Sequence, residues 1–194
     1  MMSAAEIINE LPKLSELERR AVREKLLELA SQLGSDVSFF LYGGTALVEG
    51  RGEIVTPLPP FPRRWLVLVL PPVTPITGKT ASLYQALSSY HFTDGQITRH
   101  LVEEIRAVGS EDKQGQGLPF STSYLFNTFE NVAFRMFPGL AAARDHFIKL
   151  GAEDVHLAGS GPALFTITRD KARAEELFVL LGKQQMSPYL AETI

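Results

Sequence analysis

Residues 65 to 70, Trp-Leu-Val-Leu-Val-Leu, form a run without a single polar side chain, between Arg63-Arg64 and Pro71-Pro72. A continuous apolar run of this length, bounded by turn formers, predicts a central strand buried on both faces of a sheet. The stretch "VHLAGSGPALFTIT", residues 155 to 168, predicts two short strands hinged at Gly159-Ser160-Gly161, and "SPYLAETI" at 187 to 194 can add an edge strand.

Between the strand signals lie helical patterns. Ser15 and Glu18 form an S-x-x-E capping box ahead of a helix over 15–33. Leu17, Ala21, Leu26, Leu29, Ala30 and Leu33 trace its apolar face, and Gly34 suits a left-handed C-terminal position. Further helices are expected over 80–89, over 94–108 with Asp94 as N-cap, over 122–136, over 138–150 closed by Gly151, and over 170–182. Residues 37–42 and 45–48 read as strands around Gly43-Gly44. The Pro- and Gly-rich segment 50–64 reads as a short strand followed by a connector, and residues 109–119 as a polar loop. Helices and strands mix without strict βαβ alternation, which predicts an α+β fold with helices layered on an antiparallel sheet.

Charge and composition remove several function classes. A net charge of −3 gives no support for nucleic-acid or anionic-membrane binding. Absence of cysteine excludes disulfides and thiolate metal sites and fits a cytoplasmic setting. His91, His100, His146 and His156 lack metal-ligand spacing, so no protein metal site is expected. The N-terminus has neither the basic nor the apolar region of a signal peptide, and no apolar run approaches a membrane span.

Four stretches carry candidate chemistry. Asp36 stands at the head of the apolar run 37–42, where an unpaired carboxylate near a core costs several kcal/mol; it either caps, pairs with a cation such as Arg51, or performs chemistry. "PPVTPITGKT" departs from a phosphate-binding P-loop, because Val73 occupies the place of the first glycine; Gly78 to Thr80 instead open a helix, whose N-terminus attracts polar ligands. "AGSGPALF" supplies small residues where a backbone turns sharply or approaches a ligand, and a plain hairpin accounts for it equally well. "FNTFENVAF" places Asn127 and Glu130 at i and i+3, which on spacing alone describes a solvated helix face; Phe126, Phe129 and Phe137 read as core.

Taken in order, "LGSDVSFFLYGGTALVEGRGE", "VTPITGKTASLY", "FNTFENVAF" and "GAEDVHLAGSGPALF" closely resemble the GHMP kinase family from about residue 30 to the end. Gly34-Ser35-Asp36-Val37 with Phe39-Phe40 matches the acid motif, with Ser38 where proline is usual. Gly50-Arg51-Gly52-Glu53 resembles a segment particular to the branch that phosphorylates a cytidine diphosphate-linked methylerythritol on the non-mevalonate route to isoprenoid precursors. Ala158 to Ala163 matches the family's S-G-S-G-P-T motif with two small departures.

The resemblance implies a fold and a set of roles. The fold is the family's C-terminal domain over 59–194, with a remnant of its N-terminal domain over 1–58. The activity is transfer of the ATP γ-phosphate to the substrate's 2-hydroxyl, with Mg²⁺. Asp36 acts as base toward that hydroxyl. Thr80 and Tyr84 contact the cytidine, with Tyr84 stacking on the base. Gly159, Ser160 and Gly161 shape the nucleotide pocket. The family's lysine and P-x-G-x-G-G-G-S-S phosphate loop match nothing in these residues, while "SAAEIINEL" resembles the helix after that loop. The expectation is therefore a chain lacking the N-terminal half, weakly active or inactive alone and prone to self-association. The competing reading is a non-catalytic binding fragment that keeps part of the substrate pocket.

Overall fold

A computed structural model describes residues 3–74, 77–111, 124–184 and 186–193. The chain divides into two units, Met1–Pro60 and Phe61–Ile194.

In the first unit, helix α1 (Ala4–Glu10) and helix α2 (Glu16–Leu33) both open on capping boxes, Ser3 with Glu6 and Ser15 with Glu18. Each serine oxygen accepts a backbone N–H that the helix cannot satisfy, and each glutamate returns to the serine N–H. A one-turn helix α3 (Val37–Phe40) follows, then the hairpin of β1 (Ala46–Glu49) and β2 (Ile54–Pro57), paired from Ala46↔Pro57 to Glu49↔Ile54. Two expectations fail here. Gly34 has φ 165 and ψ 157, an extended backbone rather than a left-handed one. Residues 37–40 are helix rather than strand, because a single turn buries Ser38 and tucks in Val37 and Phe39 while leaving Phe40 exposed; a strand would have needed cover on both faces. Of the apolar face foreseen on α2, only Ala30 is buried; Leu17 and Leu33 are about four-fifths exposed.

The second unit is built on a four-stranded antiparallel sheet of order β4-β5-β3-β6, where β3 is Trp65–Val69, β4 His156–Leu157, β5 Leu164–Thr168 and β6 Pro188–Glu192. The apolar run 65–69 is thus an interior strand, with Trp65 opposite both Thr168 and Glu192. Its burial alternates: Val67 and Val69 are fully buried, whereas Leu66 and Leu68, on the other face of the pleat, are half-buried. Cover is therefore complete on one face only, where the expectation was two.

The helices of this unit are α4 (Lys79–Ala86), α5 (Gln96–Glu111), α6 (Glu130–Met136), α7 (Leu140–Lys149) and α8 (Lys171–Lys183). Asp170 caps α8 by accepting from the N–H groups of Ala172 and Arg173, and Asp94 accepts from Gln96 N–H at 3.0 Å at the start of α5. Leu83, Leu140, Phe147, Leu157, Leu164, Leu177 and Leu181 join Val67 and Val69 in one core. Each such side chain contributes about 1.5–3 kcal/mol on burial. The helix foreseen over 122–136 begins only at Glu130; residues 122–123, and 112–119 of the foreseen polar loop, lie outside the described residues.

Candidate active site

Helix α4 carries Thr80 and Tyr84 one turn apart, on one face. Gly78 precedes the helix in a left-handed conformation, φ 68 and ψ 21. Leu83 anchors the helix in the core with no exposed surface, and this turns the neighbouring Tyr84 ring outward, 63% exposed. The ring is nevertheless oriented. It meets Phe129 edge-to-face at 5.0 Å between centroids and 81° between planes, a geometry favoured by the ring quadrupoles. The contact fixes the orientation of a ring that remains largely exposed to a partner.

Opposite the start of α4 lies the turn joining β4 to β5. Ala158 N–H donates to Ala163 O at 2.9 Å and Gly161 N–H to Ala158 O at 2.9 Å. Gly159 and Gly161 have φ of 55° and 70°. At Gly161 a Cβ would also stand 2.6 Å from Leu157 Cδ1, so the Leu157 side chain would have to shift in addition to the strain of the positive φ. The Lys79 ammonium donates to Gly161 O, and the Thr80 hydroxyl donates to Ser160 Oγ at 3.1 Å. Thr80, Tyr84 and the Gly159–Gly161 turn, separated by some eighty positions, are thereby brought together.

Beside them opens a cavity of about 530 Å³, lined among others by Tyr84, Phe126, Phe129, Asn127, His156 and Gly159. This volume suits a nucleoside-sized ligand, since small-molecule pockets run from about 300 to 1,000 Å³. His156 lies in its wall with both ring nitrogens buried and without hydrogen bonds, Nδ1 being 3.5 Å from Glu130 Oε1. Of the three phenylalanines read as core, Phe137 is buried and Phe129 half-buried, but Phe126 is 47% exposed at this opening.

Asn127 and Glu130 do not form a solvated helix face. Asn127 precedes the helix, and its Nδ2 donates to Leu157 O at 2.8 Å and Gly159 O at 2.7 Å. Glu130 Oε1 accepts from Leu157 N–H at 2.7 Å. Spacing could not have found this, because the partners lie some thirty residues away along the chain. Lys79 is equally hidden, because a lysine at the start of a helix has no distinctive spacing and its partner, Gly161 O, lies far along the chain.

The acid motif belongs to the first unit. Asp36 is exposed, at the N-cap position of α3, and its carboxylate makes no capping hydrogen bond. Its exposure to solvent means that the burial cost expected of an acid heading a buried strand does not arise. The Gly50–Glu53 segment folds against this motif: a Cβ on Gly52, which has φ +108, would lie 1.9 Å from Ser35 O. Glu53 Oε2 accepts from Arg51 N–H at 2.6 Å and closes the loop. No three metal-ligating side chains converge among the described residues, and none of the described helices is long and apolar enough to cross a membrane.

Comparison with known proteins adds the following. The family model of the GHMP kinase C-terminal domain matches residues 101–183. A 4-diphosphocytidyl-2-C-methyl-D-erythritol kinase of Dehalococcoides mccartyi is 44% identical over 172 residues, covering 89% of this chain and 57% of the relative. The enzyme of the same name from Gloeobacter violaceus is 31% identical, over 88% of this chain and 55% of the relative. The chain thus spans little more than half the length of these relatives. A crystal structure of 4-(cytidine 5'-diphospho)-2C-methyl-D-erythritol kinase superposes with a TM-score of 0.62 at 28% identity, covering 86% of this chain and 56% of the other. A homoserine kinase from Cytophaga hutchinsonii, 18% identical with a TM-score of 0.53, shares the fold.

Proposed function

We propose that this chain, whose residues 101–183 match the GHMP kinase C-terminal domain, provides the acceptor-binding part of a 4-diphosphocytidyl-2-C-methyl-D-erythritol kinase, which moves the γ-phosphate of ATP to the 2-hydroxyl of its substrate. The observation that carries the proposal is the 44% identity to enzymes of that name, sustained over 89% of the chain. The geometry supports it with an exposed Tyr84 ring, oriented by Phe129, beside a cavity of nucleoside size.

The roles follow from phosphoryl-transfer physics, in which positioning and electrostatics supply nearly all of the catalysis. Tyr84 stacks on the cytosine, a contact worth about 1–3 kcal/mol per base, and Thr80 fixes the register of the cytidine along α4. The Gly159–Gly161 turn lets backbone approach the nucleotide without a side chain in between. Asp36 orients the acceptor hydroxyl and takes its proton as the oxygen attacks phosphorus. Its carboxylate is exposed and makes no capping hydrogen bond, so it is open to an acceptor hydroxyl. Mg²⁺ neutralises phosphate charge in such reactions. The described residues hold no acidic cage for it, so these residues assign it no ligand and no step is derived through it.

The test is Asp36→Asn in a protein that carries these residues together with the phosphate loop. Turnover should fall by roughly 10²-fold or more, the contribution of a positioned proton acceptor. Melting temperature should stay near wild type, because Asp36 is exposed and uncapped. A steep loss of melting temperature with near-normal turnover would make Asp36 a scaffold residue and overturn its assignment as base.

A further inference from the structure

Beyond two backbone hydrogen bonds, Ala158 N–H to Ala163 O and Gly161 N–H to Ala158 O, the turn that shapes the proposed nucleotide pocket has little of its own to hold it. It contains two glycines with positive φ, and glycine is the residue with the most conformational freedom to lose. The strand that feeds it, β4, is two residues long and, among the described residues, pairs only with β5, on the outer edge of the sheet. A free edge normally leaves backbone N–H and C=O groups unpaired.

Here the edge is not free. Leu157 has its N–H taken by Glu130 Oε1 at 2.7 Å and its C=O by Asn127 Nδ2 at 2.8 Å. Two side chains thus take the place of the next strand. Asn127 then spends its second amide hydrogen on Gly159 O at 2.7 Å, inside the turn itself, while its Oδ1 accepts from Phe129 N–H at 3.0 Å. With two carbonyls on one side and an N–H on the other, only one orientation of the amide satisfies all three contacts. Glu130 opens α6, where a negative charge is favoured by the helix dipole. On the opposite side, Lys79 and Thr80 of α4 hold Gly161 O and Ser160 Oγ. Between Asn127 and Glu130 lies Phe129, the ring that steers Tyr84.

We infer that Asn127 and Glu130 are positioning residues: they clamp the Gly159–Gly161 turn in the shape that receives the nucleotide and lock it in register with Tyr84. The clamp itself stands on the geometry alone, while its catalytic consequence rests on the kinase reading above. Asn127→Asp is the sharpest perturbation. It keeps the shape and the bond to Phe129 N–H but faces two carbonyl oxygens with a carboxylate, so both donated bonds become repulsions. Glu130→Gln keeps an oxygen that accepts from Leu157 N–H, whereas Glu130→Ala does not.

Two readouts decide. In the ¹⁵N-labelled 194-residue chain, the amide signals of Gly159, Ser160 and Gly161 should shift or broaden in Asn127→Asp and Glu130→Ala and stay near wild type in Glu130→Gln. In phosphotransfer assays of protein that also carries the phosphate loop, the first two variants should raise KM for ATP by roughly tenfold, the scale of a lost buried hydrogen bond, with Glu130→Gln within a fewfold. A role in folding alone would lower melting temperature and leave the KM of the folded enzyme unchanged; that result, or unchanged turn amides in Asn127→Asp and Glu130→Ala, overturns the inference. If the wild-type protein transfers no phosphate, the kinase reading falls by itself and the amide signals still judge the clamp.

Discussion

Replacing Gly52 by alanine should disrupt the first unit out of proportion to the single methyl added. The new Cβ would stand 1.9 Å from Ser35 O, 2.6 Å from Ser35 C and 2.9 Å from Ser35 Cα. Relieving the first contact to about 3 Å requires the two segments to part by about 1 Å, and the atoms met are backbone, which cannot swing aside as a flexible side chain can. The backbone adds its own penalty, because φ at Gly52 is +108 and a positive φ costs a non-glycine residue about 1–3 kcal/mol. Gly44→Ala separates the two contributions: Gly44 has φ +62 but no atom within 4 Å of its would-be Cβ. Gly44→Ala should therefore cost only the backbone share, about 1–2 kcal/mol, and Gly52→Ala about 3–5 kcal/mol, the upper range for point substitutions. The single tryptophan, Trp65, reports only on the second unit. The assay is accordingly hydrogen exchange of backbone amides across 35–57. Protection there should collapse in Gly52→Ala and decline modestly in Gly44→Ala, with the β3–β5 ladder unchanged in both. Equal behaviour of the two variants would refute the close approach between Gly52 and Ser35, and with it the idea that the Gly50–Glu53 loop sets the place of Asp36.

Two further outcomes follow from residues already described. Assayed alone, the 194-residue chain should turn over at least ~10²-fold more slowly than protein that also carries the P-x-G-x-G-G-G-S-S loop, since removing even one donor at a developing charge costs about 10²–10³-fold; equal turnover would contradict the assignment of phosphate binding to that loop. The Glu18 carboxyl is held below its ordinary value of 4.5, first by the Ser15 hydroxyl and then by the Ser15 N–H. Its folded pKa is depressed, so the capping contribution is present above the unfolded value and is lost as pH falls through the folded one. NMR titration of Ser15→Ala should bring Glu18 back toward 4.5 and leave α2 frayed at its first turn; an unchanged Glu18 titration would contradict the capping box.

Much of this architecture was legible where the deciding physics is local. The capping box at Ser15 and Glu18 uses four consecutive residues, and the interior position of β3 follows from a run in which every side chain is apolar. The run 37–42 misled for the same reason that it attracted attention: a short apolar stretch has no period to separate strand from helix, and only the fold shows that one turn tucks Val37, Ser38 and Phe39 inward and leaves Phe40 out. The half-cover of Leu66 and Leu68 was invisible because it depends on where the helices land. Within the candidate site, the motif order pointed to Asp36, Thr80, Tyr84 and the glycine turn, whereas Lys79 and the Asn127–Glu130 clamp act on carbonyl and N–H groups that no side-chain pattern encodes.

Titrating CDP into the ¹⁵N-labelled chain asks whether these residues hold a cytidine diphosphate-linked substrate against Tyr84. Weak, saturable shifts are expected at Thr80 and Tyr84 and around the 530 Å³ cavity beside them, with affinity falling about tenfold or more in Tyr84→Ala, as loss of a stacking contact of about 1–3 kcal/mol requires. No shift in millimolar CDP, or shifts that Tyr84→Ala leaves unchanged, would contradict that binding.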